Sequence, residues 1–534
     1  MTELPSPNSA TRPADLPVSA VLGLSDKGDY DWARLRGLQY PALAKLAFYR
    51  TFTQAILAVF VAQIYVAEVG LIGMGLWMAV MAAVHWHGTR VDLALADVDR
   101  RRVTRAEFMR QANTAVLSAL VWGAAIVIFP FFGSPGDMMA MLMVVAILVA
   151  GSVFFYTAAP FGIVCFIGII GLSTVLHFAI MGLWQGAVGA VLFTIVALLG
   201  TVEVGLTFLT ARFAEAAVVE KEEVVSLLLR EFEERTRLEF QTGQIAGFTH
   251  LYAGMEAIAV GVCEHLSDED KIISTHRGHG HCLAKGCDPA AMMLELWGST
   301  DGLCRGKGGT MHIADFSRGM LGANAVVGAG APIAVGAALA ASMTGASWVA
   351  VSFFGDGATN IGSVYEAMNL AVVLKLPKIF VIEDNGWGEM TPIANATGNH
   401  DLAARAAAMG MPAVSVDGVD FFAVHAAAGE AIARARRGGG PSTLVASAPR
   451  FYGHHEGDPQ LYRSREEVAD LRRREDCLPR FIERVTTEGS LTAAEIAAVD
   501  ADIARIMDDA VAKAKSGPRP VPGDVFDHVY SRYR

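Results

Sequence analysis

Apolar positions follow two patterns along this 534-residue chain. Before about residue 211 they form long, nearly unbroken runs. After it they come in short blocks, separated by stretches of helical period. The long runs are Thr51–Val69, Gly70–Trp86, Ala112–Phe132, Met138–Ala159, Phe161–Gly182 and Ala187–Thr210. Each approaches the roughly 20 apolar residues that cross a bilayer as a helix. The joints "GSPGD", "AP" and "LWQG" carry no Lys or Arg. Basic residues sit instead before the first run (Lys45, Arg50), after the second (Arg90, Arg100, Arg101, Arg102, Arg105, Arg110) and after the last (Arg212, Lys221). Six spans with both ends inside put all of them on the cytoplasmic face. The expectation for 46–211 is an all-α polytopic bundle in the inner (cytoplasmic) membrane, with the lipid bilayer as its partner. Residues 1–45 are polar and Pro-containing, lack the apolar core and cleavage site of a secretory signal, and are expected to be a disordered cytoplasmic tail. Gln54, Gln63, Glu68, His177 and Glu203 fall inside the runs. Glu68 is expected at an interface and Glu203 facing the bundle; a ligand or proton site is the alternative.

Residues 212–240 change character. Val218, Val219, Val225, Leu228, Leu229 and Phe232 recur at helical spacing among charges, which predicts an amphipathic linker helix. It could pair two chains or relay a signal. Beyond about Leu227, packing on the following domain is the preferred reading.

Composition narrows the partners. The chain is 53% hydrophobic and 18% charged, with a net charge of −11. An acidic balance excludes nucleic acid as the main partner, because phosphate binding needs a basic field. Six cysteines with no CxxC pair are read as reduced thiols.

The chemistry lies in the second half. "SWVAVSFF" (347–354) and "KIFVIED" (378–384) read as strands, and Ile361–Leu376 between them as a helix. A right-handed crossover places two such strands in one parallel sheet. Ligands bind beyond their carboxyl ends. Asp356 follows the first strand and Asn385 the second. Neighbouring strands are about 4.8 Å apart, so a carboxylate and an amide oxygen can reach one cation. With a backbone carbonyl they make an all-oxygen set suited to magnesium, with positions left for phosphate oxygens and water. Gly355 and Gly357 permit the sharp turn and the close approach to phosphate.

Gly355–Asn385 resembles the thiamine-diphosphate motif, with Asp356 and Asn385 in the metal-ligand places. "GFTHLYAGMEA" (247–257), "STHRGHGHCLAKG" (274–286), "GLCRGKGGTMHIADFSRGMLGAN" (302–324) and "RFYGHHEGDPQLYR" (450–463) extend the likeness. Residues 227–534 as a whole resemble the alpha chain of the first component of 2-oxo acid and acetoin dehydrogenase complexes, nearer the acetoin type. The resemblance implies an α/β thiamine-diphosphate-binding fold, a central parallel sheet with helices on both faces. It implies thiamine diphosphate and magnesium as cofactors. Asp356, Asn385 and the Trp387 carbonyl would hold the metal. Gly355, Asp356, Gly357 and Ala358 would form the turn against the diphosphate. Arg277 and Arg450 would face its phosphates, His276 would lie beside the cofactor, and Val327 would contact the aminopyrimidine. His250 and His454 would be the active-site histidines, His454 also touching the cofactor.

His279, His281, His312 and His455 are read as solvated or structural. Arg305 and Lys307 are read as loop residues. "GAGAPIAVGAALAA" (328–341) is read as a buried helix rather than a span. The chain departs from the family pattern at Asp384, Ala325 and Met255, where Asn, Gly and Gln are usual. The Glu that activates the cofactor belongs, in this family, to a separate beta chain. The resemblance therefore implies an α₂β₂ assembly with a beta chain in trans, and transfer of a two-carbon unit to a lipoyl acyltransferase. The expected function is a membrane-anchored alpha subunit of acetoin dehydrogenase. The alternatives are a pyruvate or other 2-oxo acid dehydrogenase subunit, and a membrane sensor with a non-catalytic thiamine-diphosphate module.

Overall fold

The computed structural model describes residue 22 and residues 32–95, 103–155, 160–488 and 490–527. The chain divides into two compact units, one ending at Ala217 and the other resuming at Val218.

The first unit is helical. Its helices are Trp32–Val69, Leu71–Leu95, Arg105–Ile128, Pro135–Phe155 and Pro160–Ile180, followed by the first part of Trp184–Gln241. Among the described residues six helical segments are long and apolar enough to cross a membrane, from Phe48–Val69 to Trp184–Thr207. Among the described residues the first helix is Trp32–Val69, which starts inside the stretch expected to be disordered. The Trp32 side chain is buried there, and Arg36 donates to the Val103 carbonyl (3.2 Å). Most of the rest of that tail, like Arg100, Arg101 and Arg102, lies outside the described residues. The third helix starts at Arg105 rather than Ala112. Thr104 accepts from the Glu107 N–H, and the Glu107 carboxylate accepts from the Thr104 N–H, a capping box that starts the helix ahead of its apolar run. Trp122, Val61, Tyr65, Phe166 and Ile167 centre the bundle core. Gln54 is satisfied inside it, accepting from Ser118 Oγ (3.0 Å) and Trp122 Nε1 (3.1 Å). Glu203 is exposed, contrary to the expectation that it faces the bundle.

The second unit is built on a parallel sheet. Its strands are β1 (Lys271–Thr275), β2 (Met320–Asn324), β3 (Ala350–Gly355), β4 (Lys378–Asp384), β7 (Ala413–Asp417) and β8 (Ser442–Ser447), in the order β2-β1-β3-β4-β8-β7. A two-stranded antiparallel ribbon, β5 (Trp387–Gly388) and β6 (Thr391–Pro392), follows β4. Alternation along the strands splits the core in two. Val351, Phe353, Ile379 and Val381 enter one apolar cluster with Phe232, Ile258 and Val424. Ala350, Phe354, Phe380 and Ile382 enter a second with Val335 and Met368. Strands buried on both faces read as continuous apolar runs, which is why "VAVSFF" and "KIFVI" carry no polar stripe. The helix Gly330–Thr344 covers the second face through Ala331, Ala334, Val335 and Ala338. The linker belongs to the one helix Trp184–Gln241. Its Val219, Leu228, Leu229 and Phe232 enter the first cluster, so packing begins well before Leu227.

Candidate active site

β3 and β4 are hydrogen-bonded neighbours, with Gly355 paired to Glu383. Asp356 and Asn385 therefore leave the sheet at the same edge. A short 3₁₀ turn, Asp356–Asn360, follows β3 and buries Asp356 completely. Neither of its carboxylate oxygens accepts a hydrogen bond of good geometry. Burial, with a smaller push from Asp384, raises its pKa to about 7, although nearby backbone N–H groups of Gly357 and Asn385 oppose the shift. Burial also raises Asp384, which accepts from the Gly386 N–H (3.2 Å). Asn385 Oδ1 accepts from the Trp387 N–H (3.2 Å). The β5–β6 ribbon crosses close over the turn: a Cβ on Gly357 would stand 2.8 Å from the Gly388 Cα. A side chain there would push the two apart. A buried carboxylate without partners, beside an amide and backbone oxygens, suits a hard divalent cation. The residues fit magnesium.

Two buried arginines supply positive charge. Arg450 donates through Nη2 to the Glu389 carbonyl (3.0 Å) and the Tyr462 hydroxyl (2.9 Å), and its Nε has no partner. Arg277 donates to the carbonyls of Leu251 (2.8 Å) and His454 (2.7 Å). Among the described residues neither makes an ion pair with a carboxylate. Burial lowers both, and the charge on Arg450 helps bring Arg277 down to about 9. Buried guanidiniums bound only to neutral groups leave room for an anion, and their forked donors suit phosphate oxygens.

Three histidines close the constellation. Ring centroids lie 4.6 Å apart for His250 and His276, 4.8 Å for His250 and His454, and 5.3 Å for His276 and His454. Burial and then the Arg277 charge push His250 to about 3, His276 to about 2 and His454 to about 4. All three are neutral near pH 7, so each can accept a proton or donate its single N–H. Trp387 packs its ring on Tyr462 (4.9 Å). Val327 is 52% exposed on the loop after β2, at the same sheet edge. Neighbouring Gly328 backs onto Ile361, where a Cβ would stand 3.1 Å from the Ile361 Cβ.

Several supporting groups were not singled out from the sequence. Glu383 is buried beside the site and accepts from Tyr252 Oη (2.5 Å) and His281 Nε2 (3.0 Å), while His281 Nδ1 meets Ser274 Oγ (2.7 Å). This network ties the segments that carry His250, His276 and Asn385. Glu295 accepts from four backbone N–H groups, of Cys304, Gly306, Gly308 and Gly309, and shapes that Gly-rich loop. Asp458 accepts from the His454 N–H and the Tyr462 hydroxyl, both at 2.7 Å. A carboxylate inside an apolar strand run, as in "KIFVIED", was the available signal for Glu383. His279 and His281 are buried and structural; His279 Nδ1 meets Glu233 at 3.1 Å.

A doubly covered parallel sheet, with this acid–amide pair at adjacent strand tips and buried arginines nearby, is consistent with the thiamine-diphosphate-binding class of α/β fold. Residues 225–523 match the family model described as dehydrogenase E1 component, and the chain belongs to that family, carrying its alpha-type domain. Over 305 residues it is 51% identical to the alpha subunit of acetoin:2,6-dichlorophenolindophenol oxidoreductase of Cupriavidus necator, covering 57% of this chain and 92% of that protein. The Bacillus subtilis alpha subunit of the same name is 47% identical over 307 residues, covering 58% of this chain and 92% of that protein. The pyruvate dehydrogenase E1 component subunit alpha of Rhizobium meliloti is 38% identical over 303 residues, with coverages of 57% and 87%. The family match begins beyond the six apolar segments. The chain is thus a thiamine-diphosphate-dependent oxidoreductase subunit by family, with an additional helical unit.

Proposed function

We propose that this chain is a membrane-anchored alpha subunit of an acetoin dehydrogenase, loaded with thiamine diphosphate and magnesium. The observation that carries the reading is the buried, unpartnered carboxylate of Asp356 beside Asn385 at adjacent strand tips. Asp356 Oδ, Asn385 Oδ1 and the Trp387 carbonyl hold the metal. Arg277 and Arg450 offset the diphosphate charge, and the turn Gly355–Ala358 receives it. His276 flanks the cofactor, and Val327 offers an apolar contact to its pyrimidine ring. When bound, thiamine diphosphate supplies the nucleophilic carbon and the electron sink for carbon–carbon cleavage. His250 and His454, neutral at working pH, take up and return protons at the substrate oxygens.

The relatives' names support acetoin over pyruvate as substrate, and their designation as alpha subunits supports a beta chain in trans. That chain contributes the cofactor-activating Glu in an α₂β₂ assembly, and a lipoyl acyltransferase accepts the two-carbon unit. The six apolar segments support an inner-membrane location with the α/β unit in the cytoplasm.

The test uses the full chain, purified in detergent and combined with a cognate beta chain. Acetoin-dependent dye reduction and magnesium-dependent thiamine diphosphate binding by calorimetry are expected together. Binding without turnover would reassign the unit as a sensory module. Absence of binding would overturn both readings.

A further inference from the structure

We propose that His250, His276 and His454 form a second, inhibitory metal site, selective for zinc and similar late first-row cations. One nitrogen from each ring lies within 4.8 Å of the other two. His250 is 6% exposed. Its Nδ1, like that of His454, is buried without a hydrogen-bond partner. A buried ring nitrogen with no partner is a costly group to leave unsatisfied. A Lewis acid satisfies it directly.

The donor set separates this site from the one at Asp356. Oxygen ligands suit magnesium, whereas imidazole suits zinc, copper and their neighbours. Tetrahedral zinc with bonds of about 2.0–2.1 Å holds its nitrogens about 3.3 Å apart, so the rings close inward by about 1.5 Å at most. Three protein ligands leave the fourth position to an exogenous group. Arg277, held by the carbonyls of Leu251 and His454, lies within Coulombic reach of all three rings, and Arg450 of two. Those charges oppose a bare dication and draw an anion, such as chloride or phosphate, to the fourth position. A histidine whose lone pair is on a metal cannot accept a proton. Occupation therefore inhibits any reaction that uses His250 and His454 as proton carriers, and this consequence rests on the proposed function. Binding itself does not.

The experiment titrates chelator-treated full chain with Co(II) and reads visible absorption. One equivalent per chain is expected, with the intense bands of tetrahedral cobalt, displaced by Zn(II) and not by Mg(II). His250→Asn and His276→Asn are each expected to weaken Co(II) binding by about 100-fold or more. His265→Asn, in a histidine pair outside the site (rings 4.1 Å from His425), leaves it unchanged. Thermal melting of each variant reports folding; if one melts out, the other carries the test. Octahedral spectra alone, or full affinity in both folded variants, would overturn the site. With the beta chain added, Zn(II) is expected to inhibit dye reduction competitively with acetoin. Cobalt binding without zinc inhibition overturns the inhibitory role. A wholly inactive holoenzyme with intact cobalt binding counts against the dehydrogenase reading and not against the metal site.

Discussion

The two units solve burial in opposite ways. In the helical unit large apolar side chains point outward: Leu71 is 80% exposed, Ile72 89% and Val196 68%. Several of its polar groups are internal, although Gln63, Glu68 and Glu203 are exposed. Arg50 pairs with Asp92 with both side chains almost fully covered, and Gln54 bonds Ser118 and Trp122. In the α/β unit the centre of the sheet is apolar, and ion pairs such as Arg505–Asp502 lie on the surface. Asp356, Arg277 and Arg450 are buried together without an ion pair among the described residues. An outward apolar face is stable only against an apolar solvent, so buried charge carries a different meaning in each unit. In the helical unit it is paired and holds helices together. In the α/β unit some is paired as well, as in Arg230–Glu256, and the groups left for a ligand are those around Asp356.

Four measurements break or sharpen this contrast. The largest effect is expected at Asp356. Asp356→Ala removes a ligand outright, with losses in magnesium-dependent cofactor affinity and in turnover above about 100-fold. Membrane partitioning of the chain stays unchanged, as fractionation would show. Next is the internal pair of the helical unit. Asp92→Ala leaves the Arg50 guanidinium without its carboxylate, at a cost of about 3–5 kcal/mol to that unit. In a detergent melt the transition of the helical unit moves, while cofactor binding by the α/β unit persists.

A matched pair of substitutions tests the solvent itself. Val196→Arg, in the middle of Trp184–Thr207, is expected to cost about 2.5–3.5 kcal/mol in a membrane-insertion assay. Val525→Arg, at a site 63% exposed, is expected to change stability by less than about 0.5 kcal/mol. Equal, small effects would show that both units face water. The smallest effect is electrostatic. Burial, with His265 beside it, holds His425 at about 4. Unfolded, its pKa is about 6.5. Between those values the unfolded chain carries a proton that the folded chain lacks. Stability is therefore complete above about pH 6.5 and declines as pH falls toward 4. The group is partly solvated, so screening leaves on the order of 1 kcal/mol. His425→Gln should flatten that part of the pH–stability curve, read by denaturant melts.

Much of the site was legible because its chemistry is local to strand ends. Asp356 and Asn385 are set by one crossover between neighbouring parallel strands, and the apolar runs around them reveal that crossover. Glu383, Glu295 and Asp458 were not legible in the same way. Their partners lie 102 residues away for His281, and in separate turns for the loop amides. No period in the chain announces which buried carboxylate meets which donor.

The sequence by itself determined the two kinds of hydrophobic pattern, the six apolar segments, the parallel pair of strands and the family of the second half. Periodicity and run length are local properties, and they survive without knowledge of the fold. Only in the tertiary structure is it visible that residues from Trp32 are helical, that the linker packs already at Val219, and that Glu203 is exposed. It also brought three histidines from distant segments together, His250 buried and the other two half-buried, beside the Arg277 charge that helps keep them neutral. Burial and Coulombic reach depend on every element packed around a group, so no stretch of sequence carries them alone.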